Sequence, residues 1–243
     1  MNDLDRALCD LVIANRILSH ENVVDAYGHV SVRHPHDPKR YLLARSLSPE
    51  MVQQADIMEF ELDGAPVGGD RRQPYLERFI HGAVYEARPE VIAVVHAHAE
   101  DVLPFGITDA PLRPVIHSGS FMGPEVPVWD IRDKFGDTNL LVTNMPQGRD
   151  LAGRLGGNNV ALMRGHGFVA AARSIIEVVR MSVYVPRNAR VQMAAMRLGA
   201  VKPLSRGEID ARNAGYKPHS PETWRAWEYW AMRAGCRELL EKK

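Results

Sequence analysis

Val91-Ile92-Ala93-Val94-Val95-His96-Ala97-His98 is an apolar run of strand length that ends in two histidines. Successive side chains of a strand leave on opposite faces, so Ile92, Val94, His96 and His98 share one face and Val91, Ala93 and Val95 the other. Two imidazoles therefore converge at the end of a buried strand. Neutral imidazole suits a borderline-soft divalent cation, and His-x-His at a strand end supplies half of a ligand set. Taken alone the pair is equally compatible with two exposed histidines at a strand terminus, so its meaning depends on what the rest of the chain brings to it.

Upstream, Leu76, Phe79, Ile80, Ala83 and Val84 form a helical stripe between Pro74 and Ala87, with Pro74 near the first turn, where its missing N–H costs least. Glu77 and His81 lie four apart on that helix. The connection Arg88-Pro89-Glu90 is short enough to hold helix and strand in contact, so Glu77 can face the histidines. Downstream, Val160-Ala161-Leu162-Met163 reads as a buried strand, interrupted by Arg164-Gly165-His166-Gly167 before Phe168-Val169-Ala170-Ala171 resumes. Glycines on both sides of His166 permit a tight backbone and leave its imidazole uncrowded, which makes it a third candidate ligand.

The flanking chain reads as scaffold. Residues 4–18 carry apolar positions at three and four, an amphipathic helix. Gly28 to Arg33 alternates as a strand, paired through a turn at Pro35 and Pro38 with Tyr41 to Ala44, and 56–62 alternates again. A short helix is expected from Ala99 to Phe105, a loop with a short strand at Val115-Ile116-His117, a turn at 124–127, and a helix from Pro146 to Leu155 stopped by Gly156-Gly157. Ser174-Ile175-Ile176-Glu177 matches a capping box, and its helix is expected to run, interrupted at Pro186, to Gly199. Residues 205–243 form a helical C-terminal arm. It carries Trp224, Trp227 and Trp230, a concentration that predicts docking either on the chain's own core or on a neighbouring subunit.

Composition narrows the function. The chain has 243 residues, enough for one large domain, residues 1–204, before that arm. Its 30 basic and 30 acidic residues cancel, so no net field draws it to nucleic acid or an anionic membrane. Cys9 and Cys236 are too few and too far apart in sequence for a disulfide framework or a cysteine metal motif, which fits a reducing cytoplasm. No apolar run approaches the ~20 residues of a membrane span, and the start lacks the basic segment and cleavage site of a signal peptide.

Glu77, the apolar strand leading into His96-x-His98, Arg-Gly-His-Gly around His166 and the opening Gly-x-Val-Ser-Val-Arg hairpin together resemble the metal site of the class II aldolase/adducin family. The resemblance covers roughly residues 4–200. It implies an α/β fold, three layers α/β/α around a mostly antiparallel sheet, and a cyclic homotetramer with active sites at subunit boundaries. It also implies one divalent ion per subunit, Zn²⁺ or Mn²⁺, with Co²⁺ or Fe²⁺ as further candidates. His96, His98 and His166 fall on the family's histidine ligands, and Glu77 on its acid/base glutamate, which can ligate the metal when no substrate is bound.

The chain departs from the family's sugar-phosphate aldolases where their phosphate pocket stands. His29, Arg45-Ser46 and Tyr75-Leu76 occupy those places, and Tyr75 and Leu76 offer none of the small hydroxyls a phosphate needs, whereas Arg45 offers a planar fork suited to a carboxylate. With Gly-His-Val-Ser-Val-Arg, Arg-Ser-x-Ser-Pro-Glu, Glu-Arg-Phe-Ile-His and Phe-Gly-Asp-Thr, the chain resembles the family's decarboxylase branch. That implies a metal-dependent lyase acting on an aromatic or pyridine carboxylate with a hydroxyl beside the leaving group, in aromatic catabolism. Glu77 or His29 would deliver the proton, Arg45 would hold a carboxylate, and Ser46 or His117 would add a hydrogen bond. Aldol cleavage of a non-phosphorylated hydroxy-keto acid and an adducin-like, non-catalytic interaction module are the alternatives.

Overall fold

The alternation of apolar residues along each strand is satisfied on both faces of one sheet. The structure, a computed structural model, describes residues 2–215, 217 and 220–241. Its strands are β1 (His29–Arg33), β2 (Arg40–Ala44), β3 (Ile57–Glu61), β4 (Ala93–Ala97), β5 (Val128–Trp129), β6 (Val160–Met163) and β7 (Gly167–Ala172). Among the described residues they form one sheet in the order β3-β2-β1-β4-β7-β6-β5. All neighbours are antiparallel except β5 and β6.

Helices α1 (Asp3–His20), α2 (Arg78–Ala87), α3 (Leu103–Ile107), α4 (Arg132–Phe135), α5 (Met145–Leu155), α6 (Ile175–Leu198), α7 (Arg206–Ala214), α8 (Pro221–Arg233) and α9 (Arg237–Glu241) complete the chain. On one face Val30, Val32, Ala93, Val95, Ala97 and Phe168 pack with residues of α1, α6 and α8. On the other, Tyr41, Leu43, Val94, Val169 and Ala171 pack with residues of α2 and α5. Burying an aliphatic side chain contributes about 1.5–3 kcal/mol, so a one-residue slip of β4 would turn both sets the wrong way. The result is the three-layer α/β/α arrangement with a mostly antiparallel sheet.

Several expectations are corrected. The helix after Pro74 begins only at Arg78, because Pro74 pairs with Arg45 as an isolated bridge and the chain then passes through a turn at Leu76 and Glu77, Glu77 taking the N-cap position of α2. Val91 precedes β4 and packs with Val94 instead of with Ala93 and Val95. The segment 164–166 does not interrupt a single strand; it is a hairpin turn, since β6 and β7 pair antiparallel with Met163 opposite Gly167. No strand forms at 115–117, where His117 instead opens a 3-10 turn, and the added strand is β5. Helix α6 passes through Pro186 without a break. Ser174 accepts from the Glu177 amide at 3.2 Å, but the Glu177 carboxylate takes the amide of Arg173, one residue before the cap.

In the terminal arm, Trp227 and Trp230 are buried in the same core as α1 and α6, and Trp224 packs partly against it. Tyr216, Pro218, His219, Lys242 and Lys243 of that arm lie outside the described residues. Cys9 and Cys236 are both buried, and neither forms a disulfide. No helix among the described residues is long and apolar enough to cross a membrane.

Candidate metal centre

Four side chains meet at the end of β4. One ligand atom from each of Glu77, His96, His98 and His166 lies within 4.8 Å of the others. His96 comes from the last turn of the pleat in β4, His98 from the residue just past it, His166 from the β6–β7 turn, and Glu77 from the cap of α2. The turn that carries His166 uses Gly165 at φ +65°, and Gly167 lets two backbones touch: a Cβ there would stand 2.1 Å from the Ala97 carbonyl oxygen. Only glycine permits that approach, and it brings the hairpin tip onto His98.

The hydrogen-bond pattern shows what the four groups lack. His96 Nδ1 donates to the Phe168 carbonyl at 3.1 Å, which leaves its Nε2 as a lone pair facing inward. That Nε2 lies 2.9 Å from His98 Nε2, which is 3.1 Å from His166 Nε2. Glu77 Oε2 stands 3.4 Å from the Nε2 atoms of both His96 and His166, while Oε1 accepts from the Val142 amide at 2.9 Å. Lone pairs this close repel unless a cation or proton lies between them. Ligands 2.0–2.1 Å from a zinc-like ion stand about 3.4 Å apart in a tetrahedron. The donor set and its spacing therefore fit a divalent ion held by three neutral histidines and one carboxylate.

The electrostatics point the same way. Burial alone would raise the Glu77 carboxyl, but the imidazoles of His96 and His166 outweigh it and hold Glu77 well below the usual carboxylate range. Burial, then the nearby His96 and His166, pushes His98 down to about 4, which keeps it neutral and able to ligate at pH 7.

A cavity of about 400 Å³ opens beside the quartet, with Glu77 and His98 at its base. Its walls include Tyr27, His29, Leu47, Tyr75, Leu76 and Leu141, with Ser46 and Ser48. Among the described residues, neither lysine nor arginine lines it. Two backbone ties hold the wall together: Ser46 N–H donates to the Gln73 carbonyl at 2.8 Å, and the Tyr75 hydroxyl donates to the Leu47 carbonyl.

The other candidate residues fall in different places. His29 is buried, lines the cavity and packs its ring 5.2 Å from that of His96. Ser46 lines the cavity, whereas the Arg45 guanidinium turns to Asp56, with Nε 2.7 Å from Oδ1, and is no part of the wall. His117 is exposed at the start of its 3-10 turn and is not brought to the cavity within this chain. Sequence reasoning noted His81 only for its spacing from Glu77 and missed Ser31 and Tyr85; all three are buried behind His29. The signal was polar residues repeated on apolar faces: His29 and Ser31 two apart on β1, His81 and Tyr85 four apart on α2.

Residues 9–193 match the model of the class II aldolase and adducin N-terminal domain. The chain is 38% identical over 197 residues to decarboxylase tropJ of Talaromyces stipitatus, covering 76% of this chain and 74% of that one. It is 26% identical over 232 residues to 3,4-dihydroxyphthalate decarboxylase of Arthrobacter keyseri, covering 88% and 90%. Among solved structures, an aldolase II superfamily protein from Pseudomonas syringae superimposes with a TM-score of 0.79 at 19% identity, over 96% of this chain and 94% of that one. With the fold, the ligand quartet and a family match over three quarters of its length in agreement, the chain belongs to the class II aldolase and adducin family.

Proposed function

We propose that this protein is a divalent-metal-dependent lyase that decarboxylates, without oxidation, an aromatic acid bearing a hydroxyl beside the leaving carboxylate. The observation that carries the reading is the cavity wall. Tyr27, Leu47, Tyr75, Leu76 and Leu141 offer flat and apolar surface for a ring, and among the described residues no lysine or arginine lines the wall to hold a sugar phosphate. Relatives named decarboxylases, at 38% and 26% identity, support the same reaction class.

In such a reaction the ring carbon gains a proton and loses CO₂. A divalent ion held by His96, His98 and His166 supplies Lewis-acid stabilisation of the negative charge that develops on the substrate oxygens. Glu77 is the proposed proton carrier: the Val142 amide fixes Oε1, Oε2 stands by the histidine ligands, and the residue also lines the cavity. His29 meets the substrate from the adjoining wall, and the Ser46 hydroxyl supplies a hydrogen bond to a carboxylate. The exposed rim residues Tyr27 and Leu76 suit cover by a neighbouring copy, as in a homotetramer.

Incubation of the Zn²⁺- or Mn²⁺-loaded protein with 3,4-dihydroxyphthalate and related hydroxy-dicarboxylates is expected to release CO₂. Release of pyruvate or an aldehyde without CO₂ would establish aldol cleavage instead. Failure to take up Zn²⁺, Mn²⁺, Co²⁺ or Fe²⁺ would leave a non-catalytic module.

A further inference from the structure

Behind His29 runs a continuous chain of buried hydrogen bonds that the metal centre does not use. His29 Nδ1 lies 2.6 Å from His81 Nε2, His81 Nδ1 lies 2.6 Å from Ser31 Oγ, and Ser31 Oγ lies 2.7 Å from the Tyr85 hydroxyl. His81, Ser31 and Tyr85 are at most 1% exposed, so water plays no part in orienting the links. Each link needs one proton, a neutral imidazole carries only one N–H, and the buried Ser31 hydroxyl has His81 Nδ1 and the Tyr85 hydroxyl as its only partners among the described residues, so the direction of the last link fixes the direction of all the others.

The last link is set by Tyr85. Its hydroxyl has two acceptors in reach, Ser31 Oγ at 2.7 Å and the Ile92 carbonyl at 3.4 Å. The Ile92 carbonyl already accepts the Arg33 amide at 2.7 Å, and 3.4 Å is long for an O–H donor. Tyr85 therefore donates to Ser31. Ser31 then has its own proton left for His81 Nδ1, His81 donates from Nε2 to His29 Nδ1, and the one proton of His29 sits on Nε2. With Nδ1 committed inward, Nε2 is the nitrogen available to a molecule in the cavity that His29 lines.

We propose that Tyr85, Ser31 and His81 are positioning residues that lock His29 in the Nε2–H tautomer, so that it presents a neutral hydrogen-bond donor to an anionic oxygen of the substrate. The identity of that oxygen, a carboxylate of a hydroxylated aromatic acid, rests on the proposed function; the tautomer does not. The arrangement excludes His29 as a general base at Nε2 and selects for an acceptor on the bound molecule.

The test is a long-range ¹H–¹⁵N correlation spectrum of the full chain, loaded with Zn²⁺ and labelled with ¹⁵N in histidine, recorded without substrate. His29 and His81 are both expected to show a protonated Nε2 and a bare Nδ1, assigned through His29→Asn and His81→Asn. A proton on Nδ1 of His29 would overturn the proposal. Tyr85→Phe keeps the ring and removes only the terminal donor, leaving Ser31 free to turn either way. It should replace the single tautomer at His29 by a mixture while bound Zn²⁺ is unchanged; an unaltered spectrum would show that Tyr85 does not set the chain. Because no substrate is used, absence of CO₂ release counts against the proposed reaction alone, and the wrong tautomer counts against this inference alone.

Discussion

Two groups of histidines stand side by side in this fold and are opposites in chemistry. In His29 and His81 both inward nitrogens are matched by a partner, and the chain closes on a tyrosine. The Nε2 of His98 lies about 3 Å from those of both His96 and His166, and the Phe168 carbonyl claims the only proton neutral His96 has. The first group is complete as a piece of protein. The second is complete only around a cation. His96 is as fully buried as His29 and His81, so burial alone does not separate a structural histidine from a ligand; the destination of the ring protons does.

The largest expected effect comes from breaking the second group. His98→Ala removes the nitrogen in contact with both others, and elemental analysis after dialysis should find metal falling from about one ion per chain to near none. Loading the unaltered protein at a thousand times the dissociation constant stabilises it by about 4 kcal/mol, and the variant should show no such shift in melting. Full metal content in His98→Ala would mean that the convergence is not what binds the ion.

Gly167→Ala separates the groups without touching a ligand. Its Cβ would meet the Ala97 carbonyl at 2.1 Å, so the β6–β7 hairpin has to move off β4 and carry His166 with it. The expected cost is about 3 kcal/mol in urea unfolding, at the upper end for an overpacked core, with weaker Zn²⁺ binding and an unchanged tautomer at His29. Equal stability and equal affinity would show that the close approach is not what places His166.

How much of this was legible in the sequence follows from the range of each signal. A period of two put His96 and His98 on one face of β4, and Arg-Gly-His-Gly marked His166 although its role as a hairpin tip was read as an interruption. Glu77 was found as a residue but assigned to a helix that starts one position later, because the pairing of Pro74 with Arg45 is a long-range contact. Strand β5 is two residues long and has no periodicity to read. The His29–His81–Ser31–Tyr85 chain joins a strand to a helix some fifty residues away, so each half looked like an isolated polar pair on an apolar face.

The first group can be probed through pH. Burial above all, with the neighbouring imidazole of His96 acting the same way, lowers His81 to about 3 from an ordinary value near 6.5. Between those values the unfolded chain binds the extra proton and the folded chain does not, so stability is full above pH 6.5 and falls as the pH drops. At 1.36 kcal/mol per unit, and with the unfolded group already half protonated at pH 6.5, His81 accounts for a loss of about 2 kcal/mol from pH 6.5 to 4.5. His81→Asn should lose that much less over the same interval in urea titrations, whatever its stability at pH 7.5, while still binding metal. Parallel curves for the two proteins would show that His81 is not held neutral by the fold.

The smallest effect is expected at Arg45, outside both groups. Its side chain is 38% exposed and its bond to Asp56 belongs to a partly exposed pair, a class worth about 0–1 kcal/mol. What Arg45 contributes to the cavity is its backbone, which bridges to Pro74 and fixes the segment leading to Glu77; a side-chain substitution leaves that intact. Arg45→Gln should therefore change stability by less than about 1 kcal/mol and leave the KM for a hydroxylated aromatic acid nearly as it was. Ser46→Ala, which removes a hydroxyl from the cavity wall, should raise KM by roughly fivefold, the value of one hydrogen bond of about 1 kcal/mol. The reverse ranking would mean that the guanidinium leaves Asp56 and enters the cavity when the acid binds, and would restore to Arg45 the carboxylate-holding role that its planar fork suggests.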